Sequence, residues 1–454
     1  MNDSINRRNF LKQAGVAGIG LGLAGYFDPL ARADAQPMSA AGKIAANDKV
    51  TAAVIGTNGR GLAHIDCLTS LPGVEVTYIC DVDTRAVTKG LQETAKKQTN
   101  VPQGLGDFRK ALADPSLDVV TIATPDHWHT PMAILALAAG KHVYLEKPCS
   151  QNPHEGEMLL AAVNRYQRVV QMGAQRRSSA PMREIIPQIH SGLIGKTYFG
   201  KGWYVNSRTS IGHGRPAPVP EWLDYDLWQG PAPRRPFIDN LIHYNWHWRW
   251  FYGTGEALNN GTHEMDVARW ALAVNWPTRV SSNGGRYAFQ DDWETPDTQT
   301  ISWDFPEGKS MIWEGRSCND FPVEGRSRGT LIYGTEGTAL LDGDDYIIYD
   351  KTGKIIKQAK GAEVVDPANT ISGSGLGMDT AHVSNFIETV RGNQQLNCPI
   401  GEGYQSVTLL HLGNIAWRVG RELHCDPATG HILKDHEAMK LWHRKYESGW
   451  EPKV

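Results

Sequence analysis

Two side chains in this sequence have the chemistry for moving a proton to or from a hydroxyl, Lys147 and His263. A lysine ammonium polarises an oxygen and, once burial lowers its pKa, shuttles the proton. An imidazole titrates near working pH and takes the proton directly. Oxidising a secondary alcohol needs such a group and, beside it, an acceptor aligned with the carbon's hydride. A place for that acceptor precedes both residues. Gly56-Thr57-Asn58-Gly59-Arg60-Gly61 forms a glycine turn, and Asp81 follows Gly56 by about 25 residues. The glycines permit a tight turn and a close approach of backbone to a pyrophosphate, which the free amides of a helix N-terminus favour. A carboxylate at the Asp81 spacing binds both ribose hydroxyls and repels a 2′-phosphate, which favours NAD over NADP. The middle position of the turn is Asn58 instead of glycine. Asparagine tolerates positive φ better than most side chains, and Gly59 is placed to take over the close approach.

These residues need a particular set of elements around them. Val50–Ile55 reads as a buried parallel strand, followed by a helix to about Ser70 and a second strand, Val74–Cys80, ending at Asp81. Leu117–Thr124 reads as another strand, ending in Pro125-Asp126-His127-Trp128-His129-Thr130-Pro131, with a helix from Met132 to Ala139. The strand His142–Leu145 then delivers Glu146-Lys147-Pro148. Ligands of such a sheet bind at the carboxyl ends of its strands. Thr124, Asp126, Trp128, His129, Glu146 and Lys147 therefore all point at one crevice. Glu146 is read as a ribose ligand or a positioner of Lys147, not as a base. Beyond Gly195 the pattern changes to strand-like runs: 196–206, 278–289, 298–305, 310–316, 329–334, 338–342 and 346–350. Turn residues such as Pro306-Glu307-Gly308 separate several of them. Amphipathic stretches at 382–391 and 403–421 read as closing helices. The layout is α/β: a Rossmann domain over 49–170, a domain for substrate and oligomerisation over 171–425, and a tail over 426–454.

Three stretches together resemble the glucose–fructose oxidoreductase/inositol dehydrogenase (Gfo/Idh/MocA) family. They are Glu146-Lys147-Pro148, Ala123-Thr124-Pro125-Asp126-His127-Trp128-His129, and Asn259-Asn260-Gly261-Thr262-His263-Glu264-Met265-Asp266-Val267-Ala268-Arg269-Trp270. The resemblance runs from about residue 48 to about residue 425. It implies a Rossmann domain followed by an α/β domain with a large, open, mostly antiparallel sheet, and a homo-oligomer. It implies that Lys147 contacts nicotinamide ribose and substrate hydroxyl, and that Gln175 touches the nicotinamide side. An aspartate four residues before the histidine usually completes the family's site. Here that position is Asn259, which neither accepts a proton nor holds an imidazolium by charge. Asp266 and Arg269 are read as a structural pair on the helix that follows. Tyr244, His247, Asn259, Asn260 and His263 are the expected substrate contacts, and 243–250 is expected to form the substrate wall. The reaction implied is NAD(P)-dependent oxidation of a sugar or polyol. One branch of the family instead cleaves glycosides by transient oxidation at C3. That branch has Tyr-Pro-Thr-His where this chain has Asn260-Gly261-Thr262-His263. A non-catalytic sugar binder is a third reading, and it has no use for Lys147, His263 and Asp81 together.

Arg7-Arg8 precedes a weakly apolar Gly/Ala-rich run, and Ala31-Arg32-Ala33 offers small residues for cleavage. This is the layout of a twin-arginine export signal over 1–33, followed by a small polar arm over 34–48. Export in the folded state implies a partner export machinery, a site of action outside the cytoplasm, and a cofactor loaded beforehand and kept as a prosthetic group. The 454 residues suit two domains, and 41% hydrophobic with 21% charged residues is ordinary for a globular chain. A net charge of -3 gives no basic field for nucleic acid. The six cysteines form no CxxC pair, so neither a redox dithiol nor an essential disulfide is expected. The spacing of His127, His129, His243, His247 and His263 fits no standard zinc pattern, so no metal is expected. Several of the 15 tryptophans cluster between Trp203 and Trp250, as core or as a wall on which a sugar stacks.

Overall fold

The computed structural model describes residues 48–361 and 376–454; the export signal and nearly all of the arm expected from the sequence lie outside them. β1 (Val50–Ile55), β2 (Val74–Cys80), β3 (Gln103–Leu105), β4 (Val119–Ile122), β5 (His142–Leu145) and β6 (Val170–Met172) form a parallel sheet of order β3-β2-β1-β4-β5-β6. Their continuous apolar runs suit strands covered on both faces: every residue of β4 and β5 is buried. Helices α1 (Arg60–Ser70), α2 (Thr84–Ala95), α3 (Asp126–Ala138) and α4 (Pro153–Tyr166) make the crossovers. β6 pairs with β5, so the first sheet runs past the boundary expected at 170.

α3 starts at Asp126, six residues before the expected start at Met132. Two prolines hide its first turn in the sequence. Pro125 stands just outside the helix, and Pro131 inside it lacks the N–H that would bond the His127 carbonyl. Arg444 satisfies that carbonyl instead, donating from Nη2 at 2.6 Å. Arg444 also pairs with buried Glu155, and Trp450 packs edge-on against Trp128. The segment expected as a tail is therefore bound to the first domain.

The second sheet has nine strands in the order β14-β13-β12-β11-β7-β10-β9-β8-β15. It comprises β7 (Thr197–Val205), β8 (Arg279–Gly285), β9 (Thr298–Phe305), β10 (Lys309–Arg316), β11 (Arg328–Gly334), β12 (Gly337–Asp342), β13 (Asp345–Asp350), β14 (Ile355–Ala359) and β15 (Leu423–His424). β7 and β10 run parallel, and the other pairs are antiparallel. Burial alternates along β9, with Ile301, Trp303 and Phe305 turned to the core, as a period of two requires. α5 (Ala180–His190), α6 (Gly261–Leu272) and α8 (Ile400–Val419) accompany this sheet; Trp303 Nε1 donates to the Leu409 carbonyl at 2.9 Å. α7 (Leu376–Val390) does something else. Its Val383, Phe386, Ile387 and Val390 join Val50, Val54, Ile65 and Leu68 in the core of the first domain. The second domain is thus not one unbroken segment.

All six cysteines are free thiols. Trp203, Trp248, Trp303, Trp313 and Trp442 are fully buried core, whereas Trp128, Trp228 and Trp246 line a cavity. Of the cluster between Trp203 and Trp250, Trp203 and Trp248 are core, and Trp228 and Trp246 line the cavity.

Candidate active site

The cavity opens at the carboxyl ends of the first sheet's strands and is continuous from the glycine turn to the wall around Tyr244. Its nucleotide end is mostly main chain. Gly56 has φ +86°, and a Cβ there would meet the Ala123 carbonyl oxygen at 2.6 Å. Gly61 does not line the cavity: a Cβ on it would overlap the Gly56 carbonyl, so it serves by letting α1 approach β1. Asn58 lines the cavity without adopting positive φ, so its presence in place of glycine strains nothing. Gly59 stands at the N-cap of α1 without a side-chain cap bond, leaving the helix's first amides turned to the space that Asn58, Gly59 and Arg60 line. An anion fits there.

Asp81 closes this end. One of its carboxylate oxygens accepts from the Thr57 amide at 2.7 Å and the other from the Asp83 amide at 3.0 Å. Each oxygen keeps a lone pair for a ribose hydroxyl. Burial raises the Asp81 pKa, opposed by those two amides and by His243. Thr124 lines the cavity with a hydroxyl that has no partner among the described residues. Trp128 and His129 also line it, yet their polar atoms are spent. Trp128 Nε1 donates to the Leu227 and Trp228 carbonyls, and the His129 ring nitrogens face the Pro148 and Thr124 carbonyls at 2.6 and 2.8 Å. These two residues offer a bound molecule ring surface. The glycine cradle, the uncapped amides, the Asp81 oxygens and the free Thr124 hydroxyl together fit a dinucleotide.

Glu146 and Lys147 leave the end of β5 at the middle of the cavity. Glu146 accepts from Arg60 Nε at 2.7 Å, His64 Nε2 at 3.1 Å and Gln175 Nε2 at 3.4 Å. Arg60 is held in turn by Asp379 on α7, with Nη1 to Oδ2 at 2.7 Å. Burial works to raise the Glu146 pKa, but Arg60 and His64 outweigh it and hold the carboxyl well below the usual range. It stays ionised and is unsuited to giving or taking the proton. Lys147 differs. Its Nζ donates to the Asn259 carbonyl at 2.7 Å and to Asn259 Oδ1 at 3.3 Å, both uncharged acceptors. Burial lowers its pKa, against the pull of Glu146 and Asp126. The asparagine in place of aspartate therefore keeps Lys147 easier to deprotonate. Asp126 accepts from Thr254 Oγ1 at 2.6 Å, and burial raises its pKa.

The far wall collects residues from distant segments. Arg208 links Glu256, at 2.8 Å from Nε, to the Tyr244 hydroxyl, at 2.9 Å from Nη1. Asn259 Nδ2 donates to Glu256 at 3.4 Å, which turns Oδ1 toward Lys147. His247 Nδ1 bonds the Tyr244 carbonyl at 2.6 Å; a carbonyl only accepts, so Nδ1 carries the proton and Nε2 is the free acceptor. Burial pushes the His247 pKa down to about 3. His263 lines the cavity, and burial, with the cations Lys147, Arg328 and Arg176, holds it well below its usual range.

Three sequence expectations need correction here. Asn260 does not reach the cavity, because its amide is turned onto buried Glu256. Asp266 and Arg269 are not partners: Asp266 binds Arg177 at 2.8 Å, and Arg269 binds Glu402. Of the wall 243–250, His243, Tyr244, Trp246 and His247 line the cavity, while Trp248 is buried against Trp293. Residues unforeseen by the sequence reading include Arg176, Arg328 and Asp379. Only chain topology brings them in. Arg176 alone carried a signal, as the neighbour of Gln175. Among the described residues, no cluster of three or more His, Cys, Asp or Glu side chains is placed to hold a metal ion.

Residues 50–174 match the model of an oxidoreductase family with an NAD-binding Rossmann fold, and residues 193–338 and 328–452 match that family's C-terminal alpha/beta domain. A glycosyl hydrolase family 109 protein of Saccharopolyspora erythraea is 30% identical over 216 residues, 45% of this chain and 47% of that protein. An alpha-N-acetylgalactosaminidase of Shewanella oneidensis is 27% identical over 213 residues, 45% of this chain and 46% of that protein. The chain thus matches about half the length of these relatives. Among solved structures, the WlbA dehydrogenase of Bordetella pertussis, in complex with NADH and UDP-GlcNAcA, superposes with a TM-score of 0.62 at 18% identity, covering 83% of this chain and 99% of that one. That likeness shows the fold.

Proposed function

Since the chain belongs to this NAD-binding oxidoreductase family, we propose that it transfers a hydride between a secondary hydroxyl of a sugar, glycoside or polyol and a nicotinamide cofactor held in the cavity. The observation that carries the reading is Lys147. It is a half-buried amine with lowered pKa and uncharged hydrogen-bond partners, lining the same cavity as the glycine cradle and the polar wall. When bound, the nicotinamide supplies the hydride acceptor. Gly56, the amides of α1, Asp81 and Thr124 hold its dinucleotide. Lys147, in its deprotonated form, accepts the substrate hydroxyl's proton and becomes the ammonium as the hydride leaves, and His263 and His247 accept hydrogen bonds from the sugar. Glu146, fixed by Arg60 and His64, orients Lys147. Asp81 favours NAD over NADP.

The same proposal has the protein exported by the twin-arginine route with its dinucleotide already bound and retained as a prosthetic group. The test is direct. Purified exported protein, with no nucleotide added, is mixed with a panel of sugars and polyols. Reduced-nicotinamide absorbance that arises on the protein supports the reading, and a redox-silent protein refutes it.

The curated relatives favour a second reading, in which transient oxidation of a glycoside at C3 acidifies the C2 proton and permits elimination of the aglycone. Asn260 stands where that branch has tyrosine, and Asn260 is turned away from the cavity. Aglycone release from aryl glycosides that depends on bound NAD would establish this route; no release would exclude it.

A further inference from the structure

The substrate end of the cavity holds two arginines that share one carboxylate. Arg176, in the turn after β6, and Arg328, at the start of β11, both line the cavity beside Lys147 and His263. They are 6% and 5% exposed. Both lean on one carboxylate: Glu264 Oε1 accepts from Arg176 Nη2 at 2.9 Å and from Arg328 Nε at 2.8 Å. Glu264 is fully buried behind them, and Asp342, 3.9 Å from Arg176, is bonded to Arg326 at 2.9 Å. Among the described residues, Arg176 Nη1, Arg328 Nη2 and Glu264 Oε2 have no hydrogen-bond partner. Unpartnered nitrogens on two buried guanidinium groups are an unfavourable arrangement unless a ligand completes it.

We propose that Arg176 and Arg328 form a subsite for a carboxylate on the substrate, which makes the preferred sugar a uronic acid or a glycoside of one. Guanidinium forks suit the two oxygens of a carboxylate. The charge count fits a monoanion. Glu264 offsets one of the two guanidinium charges, and a substrate carboxylate would offset the other, which a phosphate dianion exceeds. The placement also has a consequence for His263. The two arginines are among the cations that suppress its protonation, so a carboxylate seated on them eases His263 back toward accepting a proton.

The inference rests on the hydride-transfer reading for turnover but not for binding, and the test separates them. Nucleotide-loaded protein is titrated calorimetrically with matched pairs, methyl glucoside against methyl glucuronide and methyl galactoside against methyl galacturonide, and with glucose 6-phosphate. Cofactor reduction is followed in parallel. A uronide should bind on the order of 100-fold tighter than its neutral partner. Arg328→Lys keeps a cation against Glu264 but removes the fork, and should erase most of that preference. Equal or tighter binding of the neutral sugars, tighter binding of the phosphate, or no binding of any would overturn the subsite. So would an undiminished preference in a folded Arg328→Lys protein. Reduction by neutral sugars in the first case leaves hydride transfer standing. Tight uronide binding without reduction supports the subsite and sinks hydride transfer.

Discussion

The two ends of the cavity are made of different materials. The nucleotide end is a main-chain cradle, completed by one carboxylate and one hydroxyl. Its glycines, helix amides and carboxylate come from one stretch between Ile55 and Asp81, joined by Thr124, Trp128 and His129. The substrate end is made of side chains that arrive separately: Lys147 after β5, Arg176 after β6, Tyr244 and His247 from the long connection after β7, Asn259 just before α6, His263 in its first turn, and Arg328 on β11. A backbone cradle depends on space and dihedral angle. A wall of buried ionisable groups depends on how their charges balance. Substitutions at the first end should therefore change what is held, and substitutions at the second what is done with it.

The largest effect is expected from Lys147→Ala. Bound nucleotide should stay near one per chain by native mass spectrometry while the rate of sugar oxidation falls about 1,000-fold. Loss of the nucleotide together with the activity would blur the distinction between the ends. Gly56→Ala is the converse. Its Cβ meets the Ala123 carbonyl at 2.6 Å in a backbone of φ +86°, a strain of about 1–3 kcal/mol before the cradle is disturbed. Nucleotide content should fall to background in a protein whose circular dichroism is unchanged. Asp81→Asn removes the charge that opposes a 2′-phosphate, and the NAD-over-NADP preference in reloading should shrink by about tenfold.

The smallest effect is one of pH. Oxidation needs neutral Lys147, so its rate should rise with pH through a single limb lying below the ordinary lysine value of about 10.4, because burial lowers this amine's pKa. Asn259→Asp sets a charge against the ammonium, favours its protonated form and should move that limb upward by about one unit. An unmoved limb would mean that another group controls the profile.

The same contrast decides what the sequence made legible. The glycine turn, Asp81 and the Glu146-Lys147 pair stand at strand ends, where strand period and spacing reveal them. The nine-stranded sheet showed through its alternation, but β14 and β15 did not. β14 has no buried residue to mark a period, and β15 is two residues long. The first turn of α3 was hidden by its prolines, because the arginine that satisfies the freed carbonyl lies more than 300 residues away. Asp379 and Arg328 are placed by helix return and strand order, which no local pattern encodes. The Asp266–Arg269 pairing failed for a related reason. Helical spacing allowed it, but Arg177 and Glu402 from other segments supply closer partners.

The account stands most directly on whether a sugar reduces a nucleotide that the protein already holds. Purified protein, freed of small molecules and given no cofactor, is mixed with an excess of sugar and followed in a single turnover. Reduced-nicotinamide absorbance should appear at up to one equivalent per chain, remain with the protein on gel filtration, and be lost in Lys147→Ala. A protein that carries no nucleotide by native mass spectrometry, or carries it and stays oxidised with every sugar, would contradict the account.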